Sequence, residues 1–201
     1  MPTSEVVLLP GLWMPGIAMG LLRARLGRAG YSARILRYRG RDSLEANVEQ
    51  LRRFCRGRAH FVGHSLGGLV ILETLLRHRD IEAASVVLIG SPVRGCHAGR
   101  RLGSLGIGRW MMGACAALWT ARDVVWSRAE PLGVIAGTRA LGLGRLLGPL
   151  PAPNDGVVCV SETMVDGMSD RALVPVGHTG LIVSRTVARR VSFFLEEGRF
   201  H

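Results

Sequence analysis

The sequence predicts an α/β fold, a mostly parallel central sheet flanked by helices on both faces, with a helical cap inserted midway along the chain. Three observations carry this. Short apolar runs recur at Val6–Leu9, His60–Val62, Ser85–Ile89 and Leu132–Ala136, too short for helices. Between them, apolar residues fall at three- and four-residue spacing, the period of a helix with one buried face. The runs are continuously apolar rather than alternating, which places them in a sheet covered on both sides.

In chain order, Val6-Val7-Leu8-Leu9 is a first strand, ended by Pro10-Gly11. Residues 16–29 carry Ile17, Leu21, Leu22 and Leu26 at helical spacing, stopped by Gly27 and Gly30. Tyr31 to Tyr38 is a second strand. Asp42 or Ser43 caps a helix whose inward face is Leu44, Val48, Leu51 and Phe54, with Glu45 near its positive end. His60-Phe61-Val62 is the third strand; a glycine-rich turn then opens a helix from about Leu66 to His78. Ser85 to Ile89 is the fourth strand. Residues 91–130 are less regular and read as an amphipathic helical cover, with 94–130 as the cap of a single domain spanning 1–201. Leu132 to Ala136 is a fifth strand and residues 137–156 a long loop, which in a compact domain is usually functional or mobile. Arg171 to Val176 is the last strand, and Leu181 to Glu197 a closing amphipathic helix.

The 201 residues are 48% hydrophobic and 20% charged, which excludes disordered and coiled-coil classes. The net charge of +11 comes from arginine alone against 15 acids, since no lysine occurs. The arginines are scattered, so most read as solvated surface. Peripheral contact with an anionic membrane surface is the second reading, and specific nucleic-acid binding is disfavoured. Cys55, Cys96, Cys115 and Cys159 form no CxxC pair and no zinc-site spacing. The first residues lack a basic region followed by a long apolar one, so a cytoplasmic protein with free thiols is expected.

Gly63-His64-Ser65-Leu66-Gly67-Gly68 fits G-x-S-x-G. The match is weak alone, but it follows a strand and opens an apolar helix, the setting of a nucleophile elbow. A hydroxyl there needs a base, and His178 in Val176-Gly177-His178-Thr179-Gly180 lies on the loop after the last strand. The base needs an acid to fix its tautomer; Asp155 in Asn154-Asp155-Gly156 gives the order Ser, Asp, His, with Asp166 and Asp170 as fallbacks and a plain Asx-turn as the rival reading. Backbone N–H groups of Leu66 and of Leu12, or else Trp13, are expected to hold an oxyanion.

These pieces, with Gly90-Ser91-Pro92-Val93-Arg94-Gly95, resemble the α/β-hydrolase superfamily, and within it the small bacterial lipase/esterase branch and the GPI-inositol-deacylase-like hydrolases. The resemblance spans nearly the whole chain and implies a minimal α/β-hydrolase fold lacking the early antiparallel strands. It also implies Ser65 as nucleophile, Asp155 as acid, His178 as base, and ester hydrolysis without metal or cofactor. One departure is Pro10-Gly11, where lipases usually carry His-Gly. In the cap, Trp110, Met111, Met112, Trp119 and Trp126, with Trp13 before it, either line an acyl pocket or pack the cap. Arg94, Arg100, Arg101 and Arg109 either bind an anionic head group or are solvated. The expected reaction is cleavage of a small-molecule or lipid ester. Acyl transfer or thioester cleavage on the same triad, or a non-catalytic binding protein on the same scaffold, are the alternatives.

Overall fold

The computed structural model describes residues 4–14, 16–120, 123–142, 144 and 147–201. Its six strands are β1 (Glu5–Leu9), β2 (Ser32–Ile35), β3 (Ala59–His64), β4 (Ala83–Ile89), β5 (Leu132–Gly137) and β6 (Asp170–Val174). They form one sheet in the order β2-β1-β3-β4-β5-β6, and every pairing is parallel. The described α-helices are α1 (Gly20–Arg28), α2 (Leu44–Phe54), α3 (Leu66–Arg77), α4 (His97–Ser104), α5 (Gly106–Met112), α6 (Gly180–Val183) and α7 (Arg185–Glu197).

The apolar runs are continuous because both faces of the sheet are covered. Val7, Leu9, Phe61, Val86, Leu88 and Val134 point to one side, where α2, α3 and the segment after β4 pack on them. Val6, Leu8, Val62, Val87, Ile89 and Ile135 point to the other, under α1, α6 and α7. This is the two-residue period of a strand serving two cores at once.

Strand order also fixes where a site can form. The chain runs from β1 outward to β2, then returns across β1 to β3, so the loops leaving β1 and β3 diverge to opposite faces. In open α/β sheets such a reversal is where ligands bind, beyond the carboxyl ends of the strands.

Three elements differ from expectation. The second strand is only Ser32–Ile35, because beyond Leu36 the chain turns so that the Tyr38 hydroxyl donates to the Pro10 carbonyl at 2.7 Å. The helix expected over 16–29 begins as a 3₁₀ turn, Gly16–Met19. The closing helix is broken at Ser184, whose hydroxyl accepts from Val187 N–H at 3.3 Å and starts α7 as a capped helix. Between β4 and β5 lie α4, α5 and the 3₁₀ helix Gly113–Trp119. All four cysteines are free thiols, and no described helix is long and apolar enough to cross a membrane.

Candidate active site

Ser65 caps α3 directly after β3, with φ 52° and ψ −121°. A side chain at positive φ is strained, at a cost of about 1–3 kcal/mol. Among the described residues only two non-glycine residues have positive φ, Ser65 and Trp13 (φ 57°), and they lie on the loops leaving β3 and β1. Both strained residues therefore flank the topological reversal. Ser65 is held by its own N–H, which donates to Ile89 O at 2.9 Å, and by its carbonyl, which accepts from Gly68 N–H at 3.1 Å. Gly67 makes the turn possible: a methyl group there would collide with the carbonyl oxygens of Leu9 and Pro10. Its absence lets the first turn of α3 lie directly against the loop after β1.

The same packing brings the side chains of Leu12 and Leu66, the residues expected to hold an oxyanion through their N–H groups, to one place. Leu12 and Leu66 meet with their side chains over Gly40. The N–H of Leu66, in the first turn of α3, has no intrahelical acceptor to satisfy, as at every helix start.

His178 and Asp155 meet at this edge. The Nδ1–H of His178 donates to Asp155 Oδ2 at 2.7 Å, and both side chains are buried. With Nδ1 engaged, Nε2 is the ring nitrogen left to exchange a proton. The other carboxylate oxygen accepts from Val157 and Val158 N–H at 2.9 and 2.7 Å, so the Asx-turn and the histidine partnership are one arrangement rather than rivals. Gly90, at the end of β4 with φ 56°, lies beneath the pair; a Cβ there would sit 3.3 Å from both Asp155 Oδ2 and His178 Nδ1. Ser65 N–H is bonded to Ile89, the residue just before that glycine, so the serine's backbone and the Asp155–His178 pair both lie against the end of β4.

The backbone of His178 is also fixed. His178 N–H donates to Asp155 O at 2.9 Å, and its carbonyl lies 3.2 Å from His64 Nε2. A carbonyl can only accept, so Nε2 of His64 carries the proton. Burial, then the neighbouring His178, hold the pKa of His64 well below the usual histidine range.

The remaining candidates sort by geometry. Asp166 pairs with Arg94 at 2.5 Å and Asp170 accepts from Phe200 N–H at 2.6 Å, and neither is bonded to a histidine. Trp119 is buried against Gly99 of α4, and Met112 and Trp126 are buried as well. Trp110, 69% exposed, and Met111 present themselves on α5, and the Trp13 indole donates to Met111 O at 3.2 Å. Of the expected arginine cluster, Arg94 is in its ion pair and Arg101 donates to Pro149 O at 2.6 Å, while Arg100 and Arg109 are exposed.

Two contributors were not anticipated. Tyr38 ties the loop after β1 through Pro10 O. Glu162, 4% exposed, accepts from His97 N–H at 2.5 Å, His97 Nδ1 at 2.6 Å and Cys159 N–H at 2.7 Å. One signal for Glu162 was present: Cys159-x-x-Glu162 has capping-box spacing with a thiol in place of a hydroxyl. His97, Cys159 and Glu162 bring candidate metal-ligand atoms within 4.8 Å of one another. The carboxylate is already occupied by protein donors, and burial with the Glu162 charge pushes the Cys159 thiol up to about 12, so the cluster reads as a hydrogen-bonded joint. Cys96 is likewise raised to about 12, by burial and then by the Glu162 charge.

No protein-family model and no curated protein matches the sequence. Solved structures do match by shape. The mature Bacillus licheniformis lipase BlEst2 superposes with TM-score 0.76 at 14% identity, over 98% of this chain and 92% of its own. A thermophilic esterase from Thermogutta terrifontis gives 0.70 at 14% identity, over 96% and 90%. The mouse alpha/beta hydrolase domain-containing protein 10 gives 0.66 at 12%, over 96% and 88%. The chain has the α/β-hydrolase fold.

Proposed function

We propose that this protein is a serine hydrolase that cleaves carboxylic esters through an acyl-enzyme. The observation that carries the reading is the strained Ser65, its N–H bonded to Ile89 at the end of β4, where the next residue, Gly90, underlies a buried histidine held by a buried carboxylate. In this reading the Ser65 hydroxyl attacks the ester carbonyl while His178 Nε2 takes its proton. Asp155 fixes the tautomer and stabilises the imidazolium. The N–H groups of Leu12 and Leu66 hold the oxyanion, each worth about 3–4 kcal/mol in the transition state. His178 then protonates the leaving alcohol and activates the water that releases the acid. No step requires a metal or an organic cofactor.

An apolar acyl group fits the surroundings. Trp13, Ile107, Trp110 and Met111 are exposed, and the Arg41 guanidinium lies 5.1 Å from the Trp110 ring centroid. Aromatic and aliphatic side chains beside cationic ones favour an ester presented at a lipid or anionic surface. The test is hydrolysis of p-nitrophenyl esters from acetyl to dodecanoyl by the wild type and by Ser65→Ala. Turnover that rises with acyl length and vanishes in the variant supports the reading. Turnover retained in Ser65→Ala overturns it, and a maximum at acetyl overturns the apolar acyl preference.

A further inference from the structure

We infer that Glu162 is a positioning residue that sets the triad acid Asp155 by locking the base of its turn to the start of α4. The inference rests on the catalytic reading above and extends it to a residue with no role in the chemistry itself.

Asp155 sits at the tip of a tight turn. Asn154 and Cys159 face each other across it as an isolated antiparallel bridge, Asp155 N–H donates to Val158 O at 3.0 Å, and Val160 N–H donates to Pro153 O at 2.9 Å. Such a short ladder fixes the turn's own shape but not its placement against the sheet. Glu162 supplies that placement. One carboxylate oxygen accepts from Cys159 N–H inside the turn, and the other accepts twice from His97, through its backbone N–H and its Nδ1–H. The Glu162 carbonyl also accepts from Arg94 N–H at 2.9 Å. One nearly fully buried carboxylate thus joins the segment after β4 to the base of the Asp155 turn. A buried carboxylate with both oxygens engaged by protein donors resists displacement, because moving it leaves donors and acceptors unpaired at low dielectric. Asp155 passes that rigidity on to His178 through two bonds, Nδ1–H to Oδ2 and His178 N–H to Asp155 O.

The test is a double-mutant cycle on kcat and KM for p-nitrophenyl butyrate, with circular dichroism melting of every protein. Glu162→Gln keeps the shape but places an amide where backbone donors converge. In the wild-type background it should lower kcat by about 10- to 100-fold, the range of an ångström-scale misplacement of a catalytic group, with KM within about threefold. In the Asp155→Asn background it should lower kcat by less than about twofold, because the group it positions has already lost its charge. Equal losses in both backgrounds, or full turnover of Glu162→Gln, overturn the inference. If Glu162→Gln melts below the assay temperature, the partly exposed His97→Ala reads the same coupling, with a loss of about threefold confined to the wild-type background; the same loss in both backgrounds overturns it. A wild-type protein without Ser65-dependent turnover overturns the reading of Ser65 itself, before any of these variants is compared.

Discussion

The two edges of the sheet each hold a buried histidine at the same distance from an oxygen, and only one of them has the surroundings of a catalytic base. At the carboxyl edge His178 Nδ1 lies 2.7 Å from Asp155 Oδ2. Toward the amino edge His60 Nδ1 lies 2.7 Å from Ser85 Oγ, with Tyr31 edge-on at 5.8 Å. A serine within hydrogen-bond reach of a histidine is therefore not enough to mark a reactive site. His60 and Ser85 belong to β3 and β4 themselves, and the oxygen at His60 Nδ1 is a neutral hydroxyl. His178 is on a loop, its partner is a carboxylate able to stabilise an imidazolium, and a strained serine stands at the same strand ends. Topology, charge and backbone strain separate the two, whereas distance does not.

That contrast breaks first at Ser65. Ser65→Ala should lower kcat on an activated ester by about 10⁴- to 10⁶-fold, read by steady-state kinetics. Asp155→Asn should follow with a loss of about 10⁴-fold and little change in melting temperature, since the geometry survives while the histidine tautomer does not. Smaller effects lie in stability. His64 has a pKa well below its value in an unfolded chain, about 6.5, so above that value both states are neutral and its contribution is complete. As pH falls through 6.5 the unfolded state gains a proton the folded state refuses, and stability drops by at most about 1.4 kcal/mol per pH unit. Urea melts between pH 7 and pH 5 should show this fall in the wild type and a shallower one in His64→Gln. Ser85→Ala is the sharpest control. It removes the buried partner of His60 Nδ1 and should cost about 1–3 kcal/mol by urea melting while leaving kcat unchanged.

What could be read from the sequence follows from what each feature depends on. β3, Ser65 and α3 were legible because the elbow is local: a strand, a Gly-x-Ser-x-Gly turn and an apolar helix are consecutive. His178 and Asp155 were legible as loop residues placed after the right strands, and the structure adds the 2.7 Å contact that no spacing encodes. The break in the closing helix was missed although Ser184 was a cap in plain view, because the apolar period runs through Leu181, Val187 and Val191 across the junction. Glu162 and Tyr38 were missed for a deeper reason. Their partners, His97 and Pro10, lie 65 and 28 residues away, so their importance arises only after the chain has closed on itself. The tryptophans between β4 and β5 carried no such information either way: Trp110 and Trp119 belong to the same apolar stretch, yet one is exposed and the other buried.

The most direct measurement is covalent labelling with a fluorophosphonate, located by peptide mass spectrometry in the wild type, Ser65→Ala and Ser85→Ala. The account predicts one adduct per chain, on the peptide carrying Ser65, absent from Ser65→Ala and undiminished in Ser85→Ala. A stoichiometric adduct that persists in Ser65→Ala, or that maps to Ser85, would contradict it.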